Sequence, residues 1–242
     1  MCLNCESLTN INYGLTFADL GIDSNETNVY NFDNLKLATE SFKNCKALKE
    51  VTFPNIINFT KLEDFTTAFE SCESLVSIFE NSEVLLYDEA KSTEDLIFSQ
   101  SFANCKALTS IGGLSNVNMT RVIGLDGLFS GNTNLIGELD LSNWKFDIVE
   151  ATENTEEIAN RYVNTRAMFS GCTGLTKIIL PKIYSNNLSS MFYGCNNLIT
   201  LDVSSLIPEL RIAADGERIS PENFANIFAG CSKLTDSTFT GY

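Results

Sequence analysis

One short phrase recurs along the chain and limits its fold more than any other feature. It places a phenylalanine, a cysteine and a leucine at three-residue intervals: Phe42, Cys45, Leu48; Phe69, Cys72, Leu75; Phe102, Cys105, Leu108; Phe169, Cys172, Leu175; Phe192, Cys195, Leu198; and Phe228, Cys231, Leu234. A shortened copy ends in Cys5 and Leu8, and in the copy Phe129, Asn132, Leu135 asparagine replaces the cysteine. Each such unit is one supersecondary element that can bury its apolar side only against the next. The expected fold is therefore a solenoid of about eight stacked units, treated as a single domain over 1–242. Specificity in such a scaffold lies in surface residues that the repeat does not dictate.

Within a unit the phrase continues as alternating apolar and polar residues, as in Val51 and Phe53, Ile178 and Leu180, or Leu201 and Val203. That period is the mark of a strand with one face buried. Upstream, Asn187 to Phe192 and Asn223 to Phe228 have helix-like spacing and a cap-type start, which predicts a short helix. Each unit thus reads as strand, turn and short helix. The α/β arrangement expected from right-handed stacking is one parallel β-sheet on the concave side with short helices opposite.

The unit from Cys172 to Cys195 reads Cys-x-x-Leu-x-x-Ile-x-Leu-Pro and then Leu-x-x-Met-Phe-x-x-Cys. It resembles the leucine-rich repeat of the BspA-like and treponemal type. Leu139-Asp140-Leu141-Ser142-Asn143-Trp144 resembles the related mycoplasma-lipoprotein-type repeat. The resemblance covers nearly the whole chain. It implies an extracellular or surface-attached adhesion or binding module that presents its concave sheet to a protein or glycan partner, such as host matrix or a cell surface. No catalytic residues and no cofactor come with it.

Seven of the eight cysteines occupy the repeat slot, so they read as small core residues rather than a disulfide framework. Asn132 in that slot suggests a side chain that hydrogen-bonds nearby backbone. Cys2 and Cys5 as a metal pair would lack a second pair and a histidine. With no histidine in the chain, the usual triads and zinc sites are excluded. Glu138 and Asp140 share one strand face without enclosing a substrate, as glycoside hydrolysis would require. No enzyme is expected. The longest apolar runs are too short to span a bilayer, so no membrane insertion is expected. The chain opens and closes inside repeats, as a piece of a longer protein would.

Successive anchors lie 40, 27, 33, 27, 40, 23 and 36 residues apart, so long and short units alternate. The extra residues fall in segments 13–38, 80–95, 146–163 and 206–222, which hold 19 acidic and 5 basic residues, a net of -14 out of the chain's -15. Such a balance repels nucleic acid. These loops are expected either to keep the chain soluble or to bind a basic partner or calcium, although no recognised calcium loop is present. The other candidate site is the outward strand face, with Glu50, Thr52, Glu138, Asp140, Lys177, Thr200 and Asp202. In the third unit the pattern places Phe79 outward, either as an exposed binding anchor or tucked into the core by a slip of register. Trp144, the one tryptophan, reads as packing rather than as a sugar platform. Sequons at Asn25, Asn58, Asn118 and Asn187 are about as many as chance supplies in a chain this rich in Asn, Ser and Thr.

Overall fold

The computed structural model describes residues 2–13, 32–90, 92, 94–146, 162–208, 221–235 and 239–240. All strand pairs among these residues are parallel, and every pair joins one unit to another. After the cysteine slot run β1 (Asn10–Asn12) and β2 (Glu50–Thr52), which pair with each other, and β7 (Gly137–Asp140), β9 (Leu175–Ile179), β11 (Thr200–Asp202) and β13 (Phe239–Thr240), which form a second sheet. These occupy the positions that the alternating pattern predicts.

The expected single sheet backed by helices is not what forms. Shortly before Phe102, Phe129, Phe169 and Phe192 the chain is extended again, giving β5 (Leu96–Ile97), β6 (Val122–Gly124), β8 (Val163–Asn164) and β10 (Ile183–Asn187), which with β12 (Leu206–Pro208) form one five-stranded sheet. β3 (Ile56–Asn58) pairs with β4 (Glu83–Leu85) in a fourth sheet. Helical structure among the described residues is limited to 3-10 turns at Gly112–Ser115 and Pro221–Phe224. No helix among them is long and apolar enough to cross a membrane.

Consecutive turns replace the expected helices, and backbone conformation explains why. The residue before each cysteine slot has a positive φ: Asn4, Asn44, Ser71, Asn104, Gly131, Gly171, Gly194 and Gly230. Four residues earlier stands another, as at Glu40, Thr67, Gln100, Gly127, Ala167, Ser190 and Asn226. A left-handed residue every four positions prevents a right-handed helical run. It also accounts for the small set of residues before the cysteine, since glycine and asparagine bear positive φ at least cost.

Hydrogen bonds follow the same two-residue rhythm. The N–H groups of Glu40, Phe42 and Asn44 donate to the next unit, at Thr66 O (3.0 Å), Ala68 O (2.7 Å) and Glu70 O (2.8 Å). Those of Ser41, Lys43 and Cys45 close turns on Ala38, Glu40 and Phe42. Thr67, Phe69 and Ser71 repeat the pattern onto Ser99, Ser101 and Ala103. Strand ends are closed by carboxylate or amide oxygens that accept the N–H two residues on, as Asn58 does from Thr60, Asn118 from Thr120 and Asn187 from Ser189. Three of the four sequon asparagines therefore have a structural task.

Two ladders run through the core. The rings of Phe42, Phe69, Phe102, Phe129, Phe169, Phe192 and Phe228 stack in sequence, with centroids 4.9 to 6.1 Å apart. Beside them each buried thiol donates to the phenylalanine carbonyl of the preceding unit: Cys72 to Phe42 O (3.0 Å), Cys105 to Phe69 O (3.1 Å), Cys172 to Phe129 O (3.0 Å), Cys195 to Phe169 O (3.1 Å) and Cys231 to Phe192 O (3.1 Å). Cys2 stands in the phenylalanine position of the first unit, for its N–H meets Ser41 O and its carbonyl receives the Cys45 thiol at 2.8 Å. All eight cysteines are free. Asn132 departs from the expectation: it is fully buried, and neither amide atom has a hydrogen-bond partner.

The second insertion, 80–95, contributes to the core through Val84 and Leu86. Arg121, 2% exposed, fastens it by donating to Leu86 O (2.7 Å) and Glu94 O (2.8 Å) while also reaching Phe59 O and Leu62 O. A buried guanidinium is tolerated because its donors are used. Trp144 is buried, and its indole N–H donates to Leu114 O, as expected of a packing residue.

Removing one ring from the stack by Phe192→Ala should cost about 3–5 kcal/mol, read from a denaturant melt; an unchanged midpoint contradicts the stacking. Asn132→Cys should stabilise by about 1–3 kcal/mol by replacing an unsatisfied buried amide with a thiol donor, read from the same melt. Burial pushes the thiols of Cys72 and Cys195 up to about 12 and raises those of Cys105 and Cys172 as well. Their unfolded counterparts ionise near 8.5. The contribution is complete below that value and is lost as pH rises from about 8.5 towards 12, because only the unfolded chain then releases protons. Melting temperature should fall over that window, and native alkylation should mark Cys5 and Cys2 before any of the six buried thiols.

Candidate binding face

The strands after the cysteine slot hold their middle residue inward, as with Val51, Leu139, Ile178 and Leu201, and turn its neighbours outward. Register then fixes which outward residues meet. Glu138 pairs with Lys177 and Lys177 with Thr200; Asp140 pairs with Ile179 and Ile179 with Asp202. Five of the residues named from sequence are thus brought onto three adjacent strands, β7, β9 and β11.

Charge on this patch is unevenly compensated. The Lys177 ammonium lies 3.1 Å from Glu138 Oε2 in an exposed pair, a contact of modest worth in water. Asp140 accepts the Ser142 N–H at 2.8 Å, and hydrogen bonding to Ser142 holds its carboxyl below the usual range. Asp202 accepts the Ser204 N–H at 2.9 Å in the same way. The two carboxylates stand one on each side of Ile179, two strand spacings or roughly 10 Å apart. An open hollow of about 270 Å³ lies on the Asp202 side, bordered by Lys177, Ile179, Thr200, Asp202 and Ser205.

Glu50 and Thr52 are not part of that patch. They lie exposed on β2 beside Asn10 and Asn12 of β1, with Thr52 donating to Glu50 at 3.4 Å. Between the two patches the third and fourth units are joined on this side by the single bridge Ser77 to Ser110. Phe79 is the reason. Its φ of 52° turns the ring inward, where it is 1% exposed and packs 4.7 Å from Phe53. Of the two alternatives for Phe79 the exposed anchor is therefore corrected, and the residue leaves the candidate surface. Gly112, in the equivalent position of the next unit, also has a positive φ, and a Cβ there would come within 2.4 Å of Ile78 O.

The strand pattern alone does not reveal an apolar border to this face. Val76, Ile136 and Ile199, exposed by 47%, 72% and 43%, occupy the slot four residues after the cysteine position. Their shared place in the repeat is the signal that would have found them. Three of the four acidic segments lie largely outside the described residues, at 14–31, 147–161 and 209–220. Among the described residues no group of three His, Cys, Asp or Glu is placed to hold a metal ion.

Comparison of the chain with curated proteins and with solved structures found no match. A family of repeats, described as the BspA type leucine rich repeat region, matches in six copies over residues 3–85, 25–144 and 136–214. The phrase built on phenylalanine, cysteine and leucine, the parallel strands that follow it and a match spanning most of the sequence lead to one assignment: the chain belongs to the BspA type leucine rich repeat family.

Proposed function

We propose that this chain is a solenoid whose function is non-catalytic: a surface-exposed, extracellular module that adheres to a protein or glycan partner, such as host matrix. The observation that carries the reading is the row of exposed polar side chains on β7, β9 and β11, where Asp140 and Asp202 flank Ile179 and Glu138 pairs with Lys177. Polar groups on paired strands are held at fixed spacing, which favours recognition without ordering a loop on binding. Exposed Ile136 and Ile199 offer apolar contact beside them, and a surface combining the two suits a partner that carries basic or hydroxyl groups. The chain's charge of -15 opposes a nucleic-acid partner.

The test is saturable binding of the purified chain to a panel of matrix proteins, mucins and glycans beside the double variant Glu138→Lys/Asp140→Lys. Binding that weakens at least tenfold in the variant supports this face. Equal binding by both moves the site to the acidic insertions. No binding to any member of the panel favours a spacer that displays another domain.

A further inference from the structure

Four residues before each stacked phenylalanine lies a core slot, which successive units fill with Phe65, Phe98, Leu125, Thr165, Leu188 and Phe224. In the unit of Phe42 that slot holds Ala38. Where the next two units insert a ring, alanine leaves space: a pocket of about 110 Å³, open on one side, lies between Ala38 and the rings of Phe42, Phe53, Phe59, Phe65 and Phe69. All six residues are at most 9% exposed. Tyr13 and Phe32, edge to face at 5.5 Å, form its partly exposed side.

The lining contains little that could hold water. Among the described residues its hydroxyl nearest the core is that of Ser41, which already donates to Ala38 O at 2.6 Å. A water needs two to four polar partners to be held in place, and an enclosed apolar cavity of about 150 Å³ admits benzene. The geometry points to a binding site for a small, uncharged, apolar molecule no larger than a single six-membered ring. Faces and edges of five phenylalanines meet such a ring on its preferred geometries. Charged or strongly polar molecules are disfavoured, since among the described residues the lining offers only the hydroxyls of Tyr13 and Ser41 as side-chain groups to replace their hydration.

The proposal is tested by melting the whole chain in buffer containing benzene at rising concentration, beside Ala38→Leu and Ala38→Phe. The melting temperature of the unsubstituted chain should rise by about 3 °C once benzene exceeds its Kd tenfold, whereas the filled variants should show no benzene-dependent rise. Leucine is the smaller filling, included because overpacking can unfold a variant. A flat melt of the unsubstituted chain, whether the cavity collapses or the chain's own residues fill it, overturns the site, as does an equal rise in a filled variant. If neither variant folds, magnetisation transfer from benzene to the ring protons of Phe59 and Phe65 decides: its presence supports the site and its absence overturns it.

Discussion

Alternate backbone N–H groups of each turn region leave their own unit and bond to the next, and the rest of the structure depends on that division. In an α-helix every interior donor is used within the element. Here the donors of Glu40, Phe42 and Asn44 cross to the neighbouring unit while those between them close local turns. A unit by itself would leave half of these donors unpaired, at a cost comparable to a lost hydrogen bond for each one buried. Stacking removes that cost and aligns every side chain with its repeat equivalents. The phenylalanine stack and the thiol ladder are consequences of this alignment, because equal backbone positions put equal side chains one above another.

The same ladder shows how departures from the repeat are accommodated. Asn132 keeps the backbone bond of its slot to Phe129 O but leaves its amide without a partner. Ala38 keeps its N–H on Asp64 O and leaves a cavity. Phe79 takes a left-handed conformation and breaks the outer strand ladder, yet fills the core with its ring. The local turn bond is kept in the first case and the bond to the next unit in the second; in the third the strand ladder shrinks to an isolated bridge, although Phe79 O still accepts the Gly113 N–H of the next unit at 2.9 Å. The interruption separates Glu50 and Thr52 from the patch on β7, β9 and β11.

Much of this was legible in the sequence. The anchor phrase, the strands that follow it, the buried cysteines and the inward packing of Trp144 all follow from residue type and spacing. The helices did not form, although Leu188, Met191 and Phe192 have helical spacing, because the spacing of apolar residues does not report the sign of φ. The signal lay elsewhere, in the Asn, Ser or Gly before each cysteine, which marks a left-handed residue. The second sheet was hidden for a related reason: β5 and β8 are two residues long, too short to show a period.

The sequence by itself determined the repeat, its family, the inward set of each strand and the identity of the outward residues, since these depend on local periodicity. Tertiary structure decided which outward residues meet. Glu138 reaches Lys177, and Asp140 and Asp202 flank Ile179, only through registers between chain segments 20 to 40 residues apart. It also decided the fates of Phe79, Asn132 and Ala38, because each depends on the volume and the hydrogen-bonding groups that neighbouring units leave at one slot. A single unit's sequence cannot state what the next unit presents to it.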